Sequence, residues 1–232
     1  MSELLLLSGL LCDDTPWVDV AERLSASCRV CIISFEGCDS LGTMADRVLA
    51  DAPKNFAVAG HSMGGRVALE VWRRAPGRIT ALGLLNTGAS PPRPEETASR
   101  GRLVKIAREQ GMAALAAEWL PPMMAGPAAS DAQRIVARRL TEMVERQTPA
   151  SFAGQTQALL HRPDAEPLLA TIRVPTLLLS GSQDTWSPVS QHMRMQTQIA
   201  GSILVEVPGA GHMAPIEQPD AVSNALLDHV IH

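Results

Sequence analysis

Six short apolar runs alternate with segments of helical periodicity along the chain of 232 residues, and this alternation constrains the fold more than any other feature. The runs are ELLLLSG, RVCIIS, NFAVAG, ITALGLLNT, VPTLLLSG and SILVEVPG. They lack the polar alternation of half-exposed strands, so we expect strands that are buried on both faces of a parallel sheet. Segments such as TPWVDVAERLSA and QPDAVSNALLDHV supply helices for both faces. The pattern predicts a doubly wound α/β fold.

The alternation stops between the fourth and fifth runs. From residue 89 to residue 166 helix-forming residues dominate without a strand pattern, and the proline-rich stretches SPPRPEE and HRPDAEP bracket the segment. An insertion between two strands of one sheet must leave the sheet at an edge and lie over it. We therefore expect a core of residues 1–88 and 167–232 with a helical cap of residues 89–166.

Composition argues against two classes of partner. The chain is 46% hydrophobic with a formal net charge of −4, which suits a single globular core. No window reaches the roughly 18 uninterrupted apolar residues of a membrane-spanning helix. No basic block of the kind that binds nucleic acid is present either. We therefore expect neither a membrane nor a nucleic acid as a partner.

The opening stretch LLLLSGLLC has two competing interpretations, a secretory leader that ends at a lipid-modified cysteine and the first strand of a fold. A leader needs a basic start and a small residue at the cleavage point. Ser2 and Glu3 carry no positive charge, and Leu11 stands before Cys12 where a small residue is required. We interpret the stretch as a buried strand that runs into a tight loop.

The four cysteines lie between Cys12 and Cys38, and two of them form the CxxC pair Cys28 and Cys31. This pair begins a strand-like run, and residues three apart on a strand face opposite ways. No second pair or histidine cluster completes a zinc site. We expect buried, reduced thiols, no metal and a cytoplasmic location.

The third run leads directly into GHSMGG, residues 60–65, and then into a helical pattern. This is a G-x-S-x-G motif in the context of strand, turn and helix. Such a sharp turn forces its central residue into a strained backbone conformation and requires small neighbours where helix and strand approach. Ser62 is therefore a candidate nucleophile at the carboxyl edge of the sheet.

A serine nucleophile needs a base, and the base needs an acid that orients it. Asp184 follows the fifth run, and His212 lies in the glycine-rich loop after the sixth. Because parallel strands present their carboxyl ends at one edge, both side chains should meet Ser62 there. His61, on the turn itself, should point away from Ser62. Some folds of this type take the acid from an earlier strand end, but Asn86 occupies that place.

The order Ser, Asp, His resembles that of the alpha/beta hydrolase superfamily. GHSMGG resembles its nucleophile elbow, GSQDTWSP its acid loop and GAGHMAPIEQP its histidine loop. The resemblance covers nearly the whole chain, which is similar to small capped esterases, enol-lactonases and acyl-carrier methyl ester esterases. It implies a hydrolase core with a cap and an active site that needs no metal or organic cofactor.

In that family the loop after the first of these strands supplies one backbone N–H of the oxyanion hole. Leu10 is the best match for this donor, Leu11 is the alternative, and Met63 would supply the second N–H. Family members usually begin with an antiparallel pair of strands, which we expect to be lacking here. The expected sheet has six parallel strands in the order 2-1-3-4-5-6, with the site at the switch point between strands 1 and 3.

Large apolar side chains surround the expected site. We predict that the substrate contacts Leu11, Trp119, Met123, Trp186 and Met213. Because methionine fills irregular space, an adaptable aliphatic pocket is one interpretation of the methionine-rich cap. Ordinary packing within the cap is the other.

Four basic residues of the cap lie close together in sequence, namely Arg100, Arg102, Lys105 and Arg108. One interpretation is a surface that receives an acidic substrate or a carrier protein. Helical spacing separates Arg100 from Lys105, however, which favours a solvated helix face.

Ser62, Asp184 and His212, with the family resemblance, predict a hydrolase of small carboxylic esters or lactones that works through an acyl-enzyme. Serine at the elbow argues against haloalkane dehalogenases and epoxide hydrolases, which carry aspartate there. Two alternatives remain open. One is a C–C bond hydrolase or lyase on the same scaffold, and the other is a ligand-binding or signalling protein with the hydrolase fold.

Overall fold

A computed structural model describes residues 3–126 and 130–231, and its centre is a six-stranded sheet. The strands are β1 (Glu3–Leu7), β2 (Arg29–Ile33), β3 (Phe56–His61), β4 (Ile79–Leu85), β5 (Thr176–Gly181) and β6 (Ile203–Val207). They lie in the order β2-β1-β3-β4-β5-β6, and every neighbouring pair is parallel. The prediction of a doubly wound parallel sheet is confirmed, including the reversal between β1 and β3.

Helices cover both faces of this sheet. Within the described residues they are α1 (Val18–Leu24), α2 (Leu41–Asp51), α3 (Met63–Arg74), α4 (Pro94–Gln110), α5 (Met112–Trp119), α6 (Asp131–Glu145), α7 (Pro149–Leu160), α8 (Glu166–Leu169), α9 (Val189–Gln196), α10 (Ala214–Glu217) and α11 (Pro219–His229). Side chains of β1 alternate between two cores. Leu5 and Leu7 pack with α2 and α3, whereas Leu4 and Leu6 pack with α1 and α11. None of the described helices is long and apolar enough to cross a membrane.

The prediction that strands are buried on both faces is confirmed for the inner strands but is wrong for the two edge strands. In β2 the side chains of Arg29 and Cys31 are exposed, and in β6 Ile203 is 45% exposed. An edge strand has a neighbour on one side only, so its flanking helices cover it less completely. The apolar character of these two runs therefore indicated strands correctly but overstated their burial.

The expectation of four buried thiols is also corrected at one position. Cys12, Cys28 and Cys38 are buried and all four thiols are free, but Cys31 is exposed on β2. Burial raises the pKa of Cys12 to about 12, so that thiol is protonated and unreactive at neutral pH. Within the described residues no group of three or more His, Cys, Asp or Glu side chains is placed to hold a metal ion.

Between β4 and β5 the chain forms α4 to α8 and a 3-10 turn at Pro121–Met123, with no strand among the described residues of this segment. The start of α7 shows how capping residues in the sequence define where a helix begins. Thr148 accepts a hydrogen bond from the N–H of Ser151, and Pro149 occupies the first position of α7. Phe152 and Leu115 of this segment share one core with Met63 beneath them. We retain 89–166 as the proposed bounds of the cap.

The turn from β3 to α3 contains a single residue, Ser62, with φ 56° and ψ −115°. The two flanking glycines allow the helix to approach the strands closely. A Cβ on Gly60 would lie 2.2 Å from the carbonyl oxygen of Gly64, and a Cβ on Gly64 would lie 2.1 Å from that of Leu7. Helix α3 therefore rests directly on the backbone of β1 and β3.

This contact predicts that Gly64→Ala destabilises the protein. The added methyl meets backbone atoms that cannot move aside, so the free energy of unfolding should fall by about 3 kcal/mol. The measurement is urea-induced unfolding followed by circular dichroism.

The matched control is Gly101→Ala in α4, where an added Cβ meets no atom within 4 Å. That variant should be more stable than the native protein by about 0.5–1 kcal/mol. Equal effects of the two substitutions would contradict the close approach.

Candidate active site

Three side chains from distant parts of the sequence meet at the carboxyl edge of the sheet. Ser62 projects from the turn after β3, Asp184 lies in the loop after β5 and His212 in the loop after β6. The Nε2 atom of His212 lies 2.8 Å from the Ser62 Oγ, and its Nδ1 lies 2.9 Å from Oδ2 of Asp184. Since a carboxylate only accepts, Nδ1–H donates to Asp184, and Nε2 accepts the hydroxyl proton of Ser62.

The Asp184 carboxylate is buried but fully supplied with donors. Its Oδ2 accepts from His212 and, at 2.8 Å, from the side-chain amide of Asn86, while Oδ1 accepts from the N–H groups of Trp186 and Ser187. Burial on its own would raise the pKa of Asp184, but the hydrogen bonds from His212, Asn86 and Ser187 hold it well below its usual range. The carboxylate is therefore ionised at neutral pH and fixed in position.

His61 supports the histidine loop from below. As predicted, its ring points away from Ser62: Nε2–H donates to the backbone carbonyl of His212 over 2.7 Å. The opposite nitrogen, Nδ1, is buried and has no partner among the described residues. Burial, and then the nearby His212, lower the pKa of His61 to about 3, so the ring is neutral. His61 therefore fixes the backbone of the candidate base without adding a charge beside it.

Leu10 and Met63 line the same cavity as Ser62, and the backbone N–H of neither donates to an acceptor in the described part of the chain. The N–H of Leu11 is occupied, because it donates to Oε1 of Gln155 over 2.8 Å. Gln155, on α7, also donates to the carbonyl of Phe35, and so ties this loop to the helices above. Of the two residues considered for the first oxyanion donor, Leu10 is the one with an available N–H.

Ser62 and His212 open into a cavity of about 660 Å³. Four of the predicted substrate contacts line it, namely Trp119, Met123, Trp186 and Met213. Trp186 is 41% exposed, so it stands at the rim. Leu11 is fully buried in the core and is not part of the lining, whereas the neighbouring Leu10 is. The positive φ of Leu11, 59°, turns the chain at this point.

The proposed cap contacts the histidine loop through backbone N–H groups. The N–H of His212 donates to the carbonyl of Met123 over 2.7 Å. The carboxylate of Glu217 accepts from the N–H of Ala125 in the cap and from the N–H of Gly211 in the loop. The two segments are therefore joined on both sides of the candidate base.

The preference for a solvated helix face is correct for Arg102, Lys105 and Arg108, which are exposed, but wrong for Arg100. Arg102 pairs with Glu118 at 2.8 Å on the exposed surface. Arg100 instead lines the cavity and pairs with Glu96. Four further arginines that the sequence did not single out line the same cavity, namely Arg66, Arg93, Arg162 and Arg194. A signal for Arg66 was present, because it lies one helical turn after Ser62.

A family model described as the alpha/beta hydrolase family matches residues 4–225, and the sheet order and the elbow at Ser62 agree with it. The chain belongs to the alpha/beta hydrolase family. It is an enzyme of the ester-hydrolase type, as its relatives and its structural neighbours indicate.

Three similar proteins illustrate the range of this family. A putative carbamate hydrolase from Klebsiella pneumoniae subsp. pneumoniae is 28% identical over 206 residues, which cover 82% of this chain and 72% of that protein. A thermophilic esterase from Thermogutta terrifontis superposes with a TM-score of 0.86 at 28% identity, over 98% of this chain and 89% of the other. The enol-lactonase from Burkholderia xenovorans LB400 has a TM-score of 0.86 at 26% identity, over 98% and 90% of the two chains.

The buried neutral ring of His61 predicts how the stability of this hydrolase depends on pH. Between the ordinary histidine pKa of 6.5 and the folded value of about 3, the unfolded chain binds a proton that the folded chain does not. Stability is therefore lost as the pH falls below 6.5. In His61→Gln, which retains a donor for the His212 carbonyl, the slope of unfolding free energy between pH 4.5 and 6 should decrease by about 1.4 kcal/mol per pH unit.

The measurement is urea unfolding of both proteins at several pH values in that window. Burial also lowers the pKa of His192, which titrates in both proteins, so the difference between the slopes isolates residue 61. Parallel pH profiles would contradict a neutral His61.

Proposed function

We propose that the protein is a serine hydrolase of small carboxylic esters or lactones, with Ser62 as nucleophile, His212 as base and Asp184 as the acid that orients the base. The observation that carries this proposal is the continuous hydrogen-bonded chain from the Ser62 hydroxyl through the imidazole to the Asp184 carboxylate. It opens into a cavity of a size that suits a small molecule.

The proposed reaction has two steps. In the first, the Ser62 Oγ attacks the carbonyl carbon, its proton passes to Nε2 of His212, and the same nitrogen then gives the proton to the leaving alcohol. In the second, water attacks the acyl-enzyme with His212 again as base, and Ser62 is released with the acid product. Asp184 stays ionised throughout and stabilises the imidazolium.

The N–H groups of Leu10 and Met63 are the proposed oxyanion hole. Both are backbone donors, one in the loop after β1 and the other at the start of α3. The start of a helix also carries a partial positive charge, which favours a developing oxyanion. A single donor of this kind contributes roughly 3 kcal/mol of transition-state stabilisation. The hydrogen bond from Leu11 to Gln155 supports the loop in the orientation that leaves Leu10 available.

The choice of esters and lactones rests on the relatives and on the cavity. The similar proteins named above include an esterase and an enol-lactonase. The lining near Ser62 is apolar on the side of Trp119, Met123 and Met213, which suits the hydrocarbon part of an acyl group. The intact chain of hydrogen bonds favours an enzyme over a ligand-binding protein, for which no such alignment is needed.

The test is the substitution Ser62→Ala. Loss of the nucleophile should lower turnover of p-nitrophenyl esters by about 10⁴-fold or more without a change in the unfolding midpoint. A fluorophosphonate probe should label the native protein at Ser62 and leave the variant unlabelled.

The matched control is Ser25→Ala, which removes a hydroxyl from the exposed end of α1 and should leave both turnover and labelling as in the native protein. Full turnover in Ser62→Ala, or labelling at another residue, would reject the assignment.

A further inference from the structure

Six charged side chains line the cavity, namely Arg66, Arg93, Glu96, Arg100, Arg162 and Arg194. They carry five positive charges and one negative charge in the same cavity as Ser62. Arg93 and Arg194 are exposed to solvent, whereas the three arginines Arg66, Arg100 and Arg162 are partly or fully buried.

Glu96 already forms ion pairs with two of the three buried or partly buried arginines, Arg162 and Arg100. Arg162 donates to both of its oxygens, at 2.6 and 2.9 Å, and Arg100 donates to Oε2 at 3.2 Å. Burial on its own would raise the pKa of Glu96, but these arginines and the N–H of Arg93 lower it to about 2. The carboxylate is ionised, and its lone pairs are used.

Arg162 is a structural member of this group. Its side chain is 4% exposed, and it also donates to the backbone carbonyls of Ser90, Pro91 and Leu159. Every nitrogen of its guanidinium has an acceptor in the protein, so Arg162 has little left to offer a ligand.

Arg66 differs from the other two. It makes no ion pair within residues 3–126 and 130–231, and its one hydrogen bond runs from Nη1 to the carbonyl of Ser90. That carbonyl also accepts from Arg162, so the two guanidinium groups lie close together. Burial, with the nearby positive charges of Arg162 and Arg100, lowers the pKa of Arg66 to about 9. It is still charged at neutral pH, and although the negative charge of Glu96 acts on it, the two groups form no direct ion pair.

Arg66 belongs to the first turns of α3, which begins at Met63 directly after Ser62. Because side chains of a helix lean towards its start, Arg66 and the nucleophile face the same cavity. A partly buried cation without a direct ion pair is costly unless a ligand brings a negative charge.

We propose that Arg66 is the anchor of a carboxylate subsite, and that the substrate is an ester or lactone whose unreactive part carries a carboxylate. This rests on the proposed ester chemistry at Ser62. The planar guanidinium presents paired N–H groups that match the two oxygens of a carboxylate. Arg100 and Arg162 add positive potential behind it, whereas the apolar wall receives the chain between the two ends of the substrate.

The experiment compares two pairs of esters that match in shape and differ in charge. The first pair is the p-nitrophenyl monoester of glutaric acid and its analogue with an isopropyl group in place of the carboxylate. The second pair, followed by acid release, is the butyryl ester of glycolate and isobutyl butyrate. The native enzyme should have the higher kcat/KM for the anionic member of at least one pair.

In Arg66→Met, which keeps the length of the side chain but not its charge, kcat/KM for the favoured anionic ester should fall about 10- to 100-fold relative to its neutral partner. Arg66→Lys should recover part of the preference. Arg102→Met removes an equal charge from the exposed surface, outside the cavity, and should leave the ratio as in the native enzyme. The subsite would be rejected if, for both pairs, the kcat/KM of the anionic ester divided by that of its neutral partner were the same in the native enzyme and in Arg66→Met.

A second readout needs no turnover. Glutarate should raise the thermal unfolding midpoint of the native protein and of Arg102→Met, but not that of Arg66→Met. The subsite, but not the proposed function, would be rejected if ester turnover depended on Ser62 but showed no preference for anions and glutarate had no effect. The proposed function, but not the subsite, would be rejected if glutarate stabilised the protein through Arg66 but no ester were turned over.

Discussion

The tight reversal of the backbone at Ser62 is the constraint on which the rest of this structure depends. One residue joins β3 to α3, with a positive φ that few side chains adopt. The reversal is tolerated because Gly60 and Gly64 let the helix touch the backbone of β1 and β3. It places three residues on the lining of one cavity, namely Ser62, Met63 and, one turn later, Arg66. A wider turn would separate them.

The polar groups around this point are held rigidly before any substrate arrives. Asp184 accepts four hydrogen bonds, which fix the carboxylate that orients His212. The main chain of His212 is held from below by His61 and from above by Met123. Such preorganisation favours catalysis because little rearrangement remains for the reaction itself. It also makes the cap part of the site, since the cap supplies one of these contacts.

The sequence predicted those features that depend on local pattern or on topology. Apolar runs predicted the six strands, the resemblance to the alpha/beta hydrolases implied their order, and parallel strands bring Ser62, Asp184 and His212 to one edge. It did not reveal contacts between distant segments, such as that of Leu11 with Gln155, which lie 144 residues apart. Partial exposure of Cys31 was missed because an edge strand and an inner strand share the same composition. The sequence also did not reveal that Arg66 and Arg162 line one cavity, because residues distant in sequence complete that lining.

We propose that Ser62, His212, Leu10 and Met63 form one preorganised acyl-transfer site. A small alkyl boronic acid mimics the tetrahedral intermediate, so a crystal structure of the enzyme with this inhibitor would show the site in use. We expect boron bonded to Oγ of Ser62, with one boronate oxygen within about 2.7–3.1 Å of the backbone nitrogens of Leu10 and Met63. Boron on another nucleophile, or an oxygen that contacts neither nitrogen, would contradict it.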